Sequence, residues 1–348
     1  MLAAVLYGKE DLRLEHVNDP TPKSGEVVIE VDVATTCGTD LKVWRRGGHA
    51  KMLRPPTLFG HEAAGQIVAL GSDVQGWKVG DRVIANNSAP CMSCFFCDRK
   101  EYSLCQNLIF NNGTFAQYQT IPAQIVQHNL HRIPEGMPTA LASLTEPFAC
   151  VLHGVLRSGL REKQRHGVTP NVIVIGDGAI GLMFVGAIAL QGANVSLFGG
   201  SDARLDIGRQ FGAQHVFNHH QIDGIESRVM DLTEGMGADI VIEATGVPQV
   251  WETAIACGRP GSTINLFGGC PKETAITVNT ERLHYDELTL KGVFHNTPEI
   301  VRQSLATLAR RELPYELMVN DRQPLTELEK VFQAMKARKT IKAAISPR

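Results

Sequence analysis

Residues 171–200 read NVIVIGDGAIGLMFVGAIALQGANVSLFGG. The stretch parses as an apolar strand, a glycine turn, an apolar helix and a second strand. Gly176, Gly178 and Gly181 fall in a G-x-G-x-x-G pattern at the strand-to-helix turn. The pattern alone is weak, and a glycine-rich turn with no ligand would satisfy it. In strand–turn–helix context it is a dinucleotide fingerprint. The first glycine permits the tight turn, the second lets backbone approach a pyrophosphate, and the third lets helix pack on strand. The helix N-terminus then offers free N–H groups to the phosphates. Working outward, ADIVIEATG at 238–246, GSTINLFGG at 261–269 and ELTLKGVF at 287–294 read as further buried strands. Helical stretches lie between them, so the second half is expected to be α/β around a parallel sheet.

At 348 residues the chain is too long for one ordinary domain, and two are expected. Apolar residues make up 43% and charged residues 20%, a globular balance. The net charge of −2 supplies no global field for nucleic acid or an anionic membrane, and neither is expected as a partner. The N-terminal MLAAVLYGKEDLRLEH has no basic leader, and its apolar run is too short for a signal peptide. The longest membrane-span candidate, around 172–191, is broken by glycines and Asp177. A cytoplasmic location is therefore expected, where thiols stay reduced.

That setting bears on CMSCFFCDRKEYSLC at 91–105, which holds four of the eight cysteines. Cys91, Cys94, Cys97 and Cys105 follow C-x2-C-x2-C-x7-C. In a reducing compartment such a cluster reads as a metal site rather than a disulfide network. Four thiolates close a tetrahedral shell around zinc and leave no position for substrate, so the site is expected to be structural. The surrounding loop shows neither helical nor alternating periodicity and has little else to hold it. An iron–sulfur cluster and four buried free cysteines are the competing readings.

A second set of polar groups is dispersed. Cys37 lies in TTCGTD, after the alternating strand pattern EVVIEVDVA at 26–34. His61 and Glu62 are adjacent in LFGHEAAGQIVALGSDVQGWKVGDRV at 58–83, and Glu146 precedes Pro147 in LTEPFACVLHGV at 144–155. Pro147 suits the first turn of a helix. A thiolate, an imidazole and one or two carboxylates would make an open three-ligand zinc site. Singly, each residue has a plainer reading, as core cysteine, structural histidine or helix cap.

In combination and in order, CGTD at 37–40, GHEAAGQIVALGSDV at 60–74, GDRV at 80–83, the four-cysteine lobe, EP at 146–147 and the later nucleotide fingerprint resemble the zinc-containing medium-chain alcohol dehydrogenase superfamily. The likeness spans essentially the whole chain and is greatest to the polyol (sorbitol) and threonine dehydrogenase branch. It implies a GroES-like β-barrel catalytic domain over 1–149 and 293–348, with a structural zinc lobe at 88–108. A Rossmann doubly wound domain would cover 150–292, with the active site in the interdomain cleft. It implies two zinc ions per chain. Cys37, His61 and Glu146 would hold the catalytic one, with Glu62 either a ligand or a partner behind the ligands. Zinc would lower the pKa of a bound alcohol, and the nicotinamide would take the hydride. Thr39 would pass the proton outward, and Asp40 would position the Cys37 loop. Gly176, Gly178, Ala179, Ile180, Gly181, Gly199, Ser201, Arg204 and Thr245 would line the cofactor. A homodimer or homotetramer is implied.

Two departures from the family pattern matter. Lys42 stands where the relay often ends in histidine, and it reads as solvent-facing. Gly199 stands where NAD-users carry a ribose-binding aspartate. With no carboxylate there to repel a 2′-phosphate, NADP is expected to be preferred and NAD possible. Ser201 and Arg204 would then contact the phosphate, while Asp202 caps the following helix. The substrate is expected to be a small secondary alcohol, namely a polyol, sugar or cyclitol, with threonine-like amino-alcohol oxidation second. A non-catalytic zinc-lobed scaffold is third. The basic loop RRGGHAKMLR at 45–54 reads as solvated surface, and His295 and Asn296 weakly favour a hydroxylated substrate.

Overall fold

Asn171–Ile175, the strand that opens the quoted stretch, lies inside a parallel sheet. Val172, Ile173, Val174 and Ile175 are all buried, and a strand covered on both faces reads as a continuous apolar run. The computed structural model describes residues 1–49, 51–165 and 167–348; Ala50 and His166 lie outside the described residues. Among these, the sheet runs His215–Asn218, Asn194–Gly199, Asn171–Ile175, Ala238–Glu243, Gly258–Leu266, Thr289–Gly292, with every neighbouring pair parallel. In chain order that is third, second, first, fourth, fifth, sixth, the Rossmann arrangement expected from the sequence. Helices such as Ala179–Ala189, Asp202–Gln210 and Pro248–Ala256 connect the strands.

The glycine turn is built as its spacing requires. Gly176 has φ +121°, a conformation that side chains resist. A Cβ on Gly181 would lie 1.7 Å from the Gly176 carbonyl oxygen, so only glycine lets the helix start there. A Cβ on Gly178, the N-cap of Ala179–Ala189, would meet nothing within 4 Å.

The chain divides into two compact units, Met1–Ala149 with Asn296–Arg348, and Cys150–His295. The first is built mainly on antiparallel strands. Its larger sheet runs Leu130–Arg132, Arg82–Ala85, Glu62–Leu70, Val27–Thr35, Lys342–Ser346, Val319–Pro324, and Tyr118–Ile121 also pairs with Val27–Thr35. Its core holds Phe59, Phe115 and Phe332, whose ring centroids are 5.9–6.2 Å apart, with Trp44 packed 5.7 Å from Phe332.

Pairing in this sheet decides where polar groups meet. Thr35, at the end of Val27–Thr35, pairs with Glu62 at the start of Glu62–Leu70, and Ala344 of the last strand also pairs with Thr35. Three chain segments distant in sequence therefore end side by side. The run Thr139–Arg157 has the length and hydropathy of a membrane span, which the sequence reading did not pick out. It behaves as a core helix, with 67% of its apolar window buried.

Candidate functional site

Cys37 follows the strand Val27–Thr35 and is the N-cap of the helix Gly38–Arg46. Its sulfur accepts the Thr39 N–H at 3.3 Å. Asp40 closes a capping box by accepting the Cys37 N–H at 2.9 Å through one carboxylate oxygen. Its other oxygen lies 2.8 Å from Nδ1 of His61. One buried aspartate thus fixes both the cysteine loop and the imidazole tautomer, which leaves the far ring nitrogen for a ligand. Burial pushes His61 down, but the charges of Asp40 and Cys37 outweigh it and hold the imidazole well above its ordinary range.

Glu62 is 1% exposed. Its Oε2 accepts a hydrogen bond from Thr35 Oγ1 at 2.6 Å and from the Lys342 ammonium at 2.6 Å, while Oε1 is buried with no hydrogen-bond partner among the described residues. The donor atoms of Cys37, His61 and Glu62 all lie within 4.8 Å of one another. A sulfur, an imidazole nitrogen and a carboxylate oxygen this close together are a donor set that fits zinc. Glu146, in the first turn of the helix Thr145–Arg157, does not belong to this close group. Thr39 is half-buried on the first turn of its helix, and Lys42 is exposed. Arg45, Arg46, Lys51 and Arg54 are exposed as well. Asn296 is buried, and its Oδ1 accepts the Asn86 side-chain N–H at 3.1 Å.

The structure also brings Cys91, Cys94, Cys97 and Cys105 together, with all four sulfurs within 4.8 Å. The separations Cys94–Cys97, Cys94–Cys105 and Cys91–Cys105 are 3.6, 3.8 and 3.5 Å. A tetrahedron of sulfurs about 2.3 Å from a central ion has edges of about 3.8 Å, so the shell fits one zinc and is too tight for a multi-iron cluster. These separations are nearly twice the bond length of a disulfide, about 2.05 Å. Backbone N–H groups of Cys91 and Gln106 point at the sulfurs of Cys105 and Cys94. Backbone hydrogen bonding at Ser93 draws the Cys91 thiol down to about 6, whereas burial pushes Cys105 up to about 12. Beyond a short helix, Phe95–Asp98, and a single turn, Tyr102–Leu104, little regular structure holds the lobe.

In the parallel unit, Ala179 and Ile180 open the helix after the glycine turn. Thr245 follows the strand Ala238–Glu243, and its N–H donates to Glu243 at 2.6 Å. Glu243 is fully buried and also takes the Gly246 N–H at 3.1 Å, so it pins this loop. Ser201 is the N-cap of Asp202–Gln210, and Arg204 is half-buried on it. Asp202 does not cap that helix as expected. Its carboxylate accepts from Asn218 at 2.7 Å, because the neighbouring strand supplies a nearer donor.

Lys342, Glu243 and Asp177 were not singled out for the site from sequence. A lone lysine inside the apolar run IKAAI is the signal that was available for Lys342.

The description "Alcohol dehydrogenase GroES-like domain" matches residues 23–135, and "Zinc-binding dehydrogenase" matches 179–310. An L-threonine 3-dehydrogenase from Pyrococcus horikoshii is 32% identical over 294 residues, 82% of this chain and 80% of that protein. The chain belongs to the zinc-containing medium-chain alcohol dehydrogenases. A Bacillus subtilis sorbitol dehydrogenase is 30% identical over 84% of this dehydrogenase and 82% of its own length. Among solved structures, alcohol dehydrogenase TADH from Thermus sp. superposes with a TM-score of 0.88 at 25% identity, covering 100% of both chains. A zinc-binding dehydrogenase from Sinorhizobium meliloti, bound to NADP, gives 0.89 at 25% identity, covering 99% of both. This dehydrogenase therefore joins the GroES-like and Rossmann-type folds expected from its sequence.

Proposed function

We propose that this dehydrogenase oxidises a secondary alcohol of a polyol, sugar or cyclitol, or reduces the matching ketone, with a nicotinamide dinucleotide. The observation that carries the reading is the convergence of Cys37, His61 and Glu62 at the shared strand ends, with one buried carboxylate oxygen left unpartnered among the described residues. Cys37 and His61 hold the catalytic zinc, together with a carboxylate from Glu62 or Glu146. Zinc, when bound, supplies a Lewis acid that lowers the pKa of an alcohol. Asp40 keeps the His61 ring oriented, and Thr39 hands the proton outward. Cys91, Cys94, Cys97 and Cys105 hold a second, structural zinc, giving two per chain. The glycine turn, Thr245 and the Ser201 loop hold the dinucleotide.

NADP preference was expected because Gly199 carries no carboxylate. Asp177 brings one to that place, so we read the cofactor choice from Asp177, below. We place the protein in the cytosol as a homodimer or homotetramer. Supporting this, none of its eight cysteines is disulfide-bonded, and Thr289–Gly292 forms an outer strand of its sheet.

Relatives named as threonine dehydrogenases support amino-alcohol oxidation as the second reading. A panel of polyols, sugars, cyclitols and L-threonine, read by absorbance of the reduced nicotinamide, separates the two. Turnover on a polyol with none on L-threonine is expected. The reverse would overturn the choice of substrate, and no turnover on any compound would overturn the enzyme reading.

A further inference from the structure

We propose that Asp177, inside the glycine turn, is the acidic group that selects the dinucleotide, favouring a free adenosine ribose and opposing a 2′-phosphate. The inference rests on the reading that this unit binds a nicotinamide dinucleotide. It begins with register. The strands Asn171–Ile175 and Asn194–Gly199 are parallel neighbours, with Ile175 paired to Phe198. The residue just past the first strand's turn therefore comes alongside Gly199. A Cβ on Gly199 would lie 2.5 Å from the Asp177 Cβ and 2.7 Å from its Oδ2. Gly199 is small because Asp177 already fills that space.

The Asp177 carboxylate is fixed there. Its Oδ2 accepts the Gly200 N–H and the Ser201 N–H, each at 2.9 Å. These two donors lead into the helix Asp202–Gln210, where an anionic ligand would seek them. A 2′-phosphate would thus find its backbone donors taken and a like charge in their place. Ribose hydroxyls would find an acceptor. The loop's other carboxylate, Asp202, is turned to Asn218. On the far side, His219 Nδ1 pairs with the Gly199 carbonyl at 2.7 Å, and its ring lies tilted against His220 with the centroids 3.9 Å apart. Asp177 is thus the carboxylate at this strand end, although it comes from the glycine turn.

The test is equilibrium binding, which needs no turnover. The wild type, Asp177→Asn and Asp177→Ser are titrated by calorimetry with NAD, with NADP, and with adenosine 5′-phosphate against adenosine 2′,5′-bisphosphate. Wild type is expected to bind NAD more tightly than NADP. Both variants are expected to move the ratio toward NADP by at least about fivefold, as loss of a like charge about 4 Å away implies. The two fragments should follow the same order. If the wild type binds NADP as tightly as NAD, or if the ratio stays unchanged in the folded variants, the proposal is overturned and the dehydrogenase reading stands. If the wild type binds neither dinucleotide, both fall. The wild-type comparison decides the matter even if a variant fails to fold.

Discussion

Lys342 is 2% exposed, and its ammonium nitrogen lies 2.6 Å from Glu62 and 2.7 Å from the Thr36 carbonyl. Burial pushes this lysine down, but the charges of Glu62, Cys37 and Asp40 and the hydrogen bond to Glu62 together outweigh it and hold the ammonium above its ordinary value. The pair holds one Glu62 oxygen and leaves the other without a hydrogen-bond partner among the described residues, on a side chain that lies against Cys37 and His61. Removing one partner of a buried ion pair strands the other, so Lys342→Met should cost about 3–5 kcal/mol. A denaturant titration should show that loss, and Glu62→Gln added to it should recover part. An unchanged midpoint for Lys342→Met would mean the pair does not hold the site. Gly199 gives a second expectation. Gly199→Asp would place its Cβ against Asp177, with a second carboxylate beside the first. It should lower stability by about 1–3 kcal/mol and not improve NAD binding. A stable variant with tighter NAD binding would show that the space at Gly199 is open. Neither contact could be read from spacing. Glu62 and Lys342 are 280 positions apart, and Asp177 meets Gly199 through the register of two parallel strands. The ligand-type residues themselves were legible because their motifs are local: a cysteine closing a strand, a His-Glu pair opening one, and four cysteines in a short loop.

At the scale of elements, the strand Leu130–Arg132 carries a half-buried titrating group, His131. Burial, aided by the charge of Arg302, pushes His131 from its ordinary 6.5 down to about 4, and its ring pairs with Asn129 at 3.0 Å. Between those values the unfolded chain binds a proton that the folded chain refuses, so folding stability falls as pH drops through that window. His131→Asn should flatten this part of the pH dependence of the unfolding midpoint; an unchanged slope would assign it to other groups. The cysteine lobe packs Phe96, Tyr102 and Leu108 around its own cysteines rather than along one face of a helix or strand, which is why periodicity failed to describe it. Cys94→Ser should therefore lower solubility and melting temperature more than it lowers the turnover of molecules that remain folded. Equal losses in both would mean that the lobe reaches the chemistry. The central Rossmann strands Asn171–Ile175, Asn194–Gly199 and Ala238–Glu243 were legible for the opposite reason, since each is buried on both faces and its composition records that burial, whereas the edge strand Thr289–Gly292, expected to be buried, is partly exposed.

Across the whole molecule, the two proposed metal centres make separate demands. One is a shell of four sulfurs with no free position, and the other is an open group oriented by Asp40 and Lys342. Metal analysis of undamaged protein should give two zinc ions per chain, and one or none would remove a centre. In the proposed function the Cys37–His61 group binds the alcohol whose hydride passes to the nicotinamide. The most direct test is the rate at which reduced-nicotinamide absorbance appears, for zinc-loaded wild type and for His61→Ala, on the same panel of polyols, sugars, cyclitols and L-threonine. Wild type should turn over at least one of these compounds, while His61→Ala keeps its dinucleotide affinity and turns over none. Near-normal turnover by His61→Ala, or a wild type inert on the whole panel with both cofactors, would contradict the account.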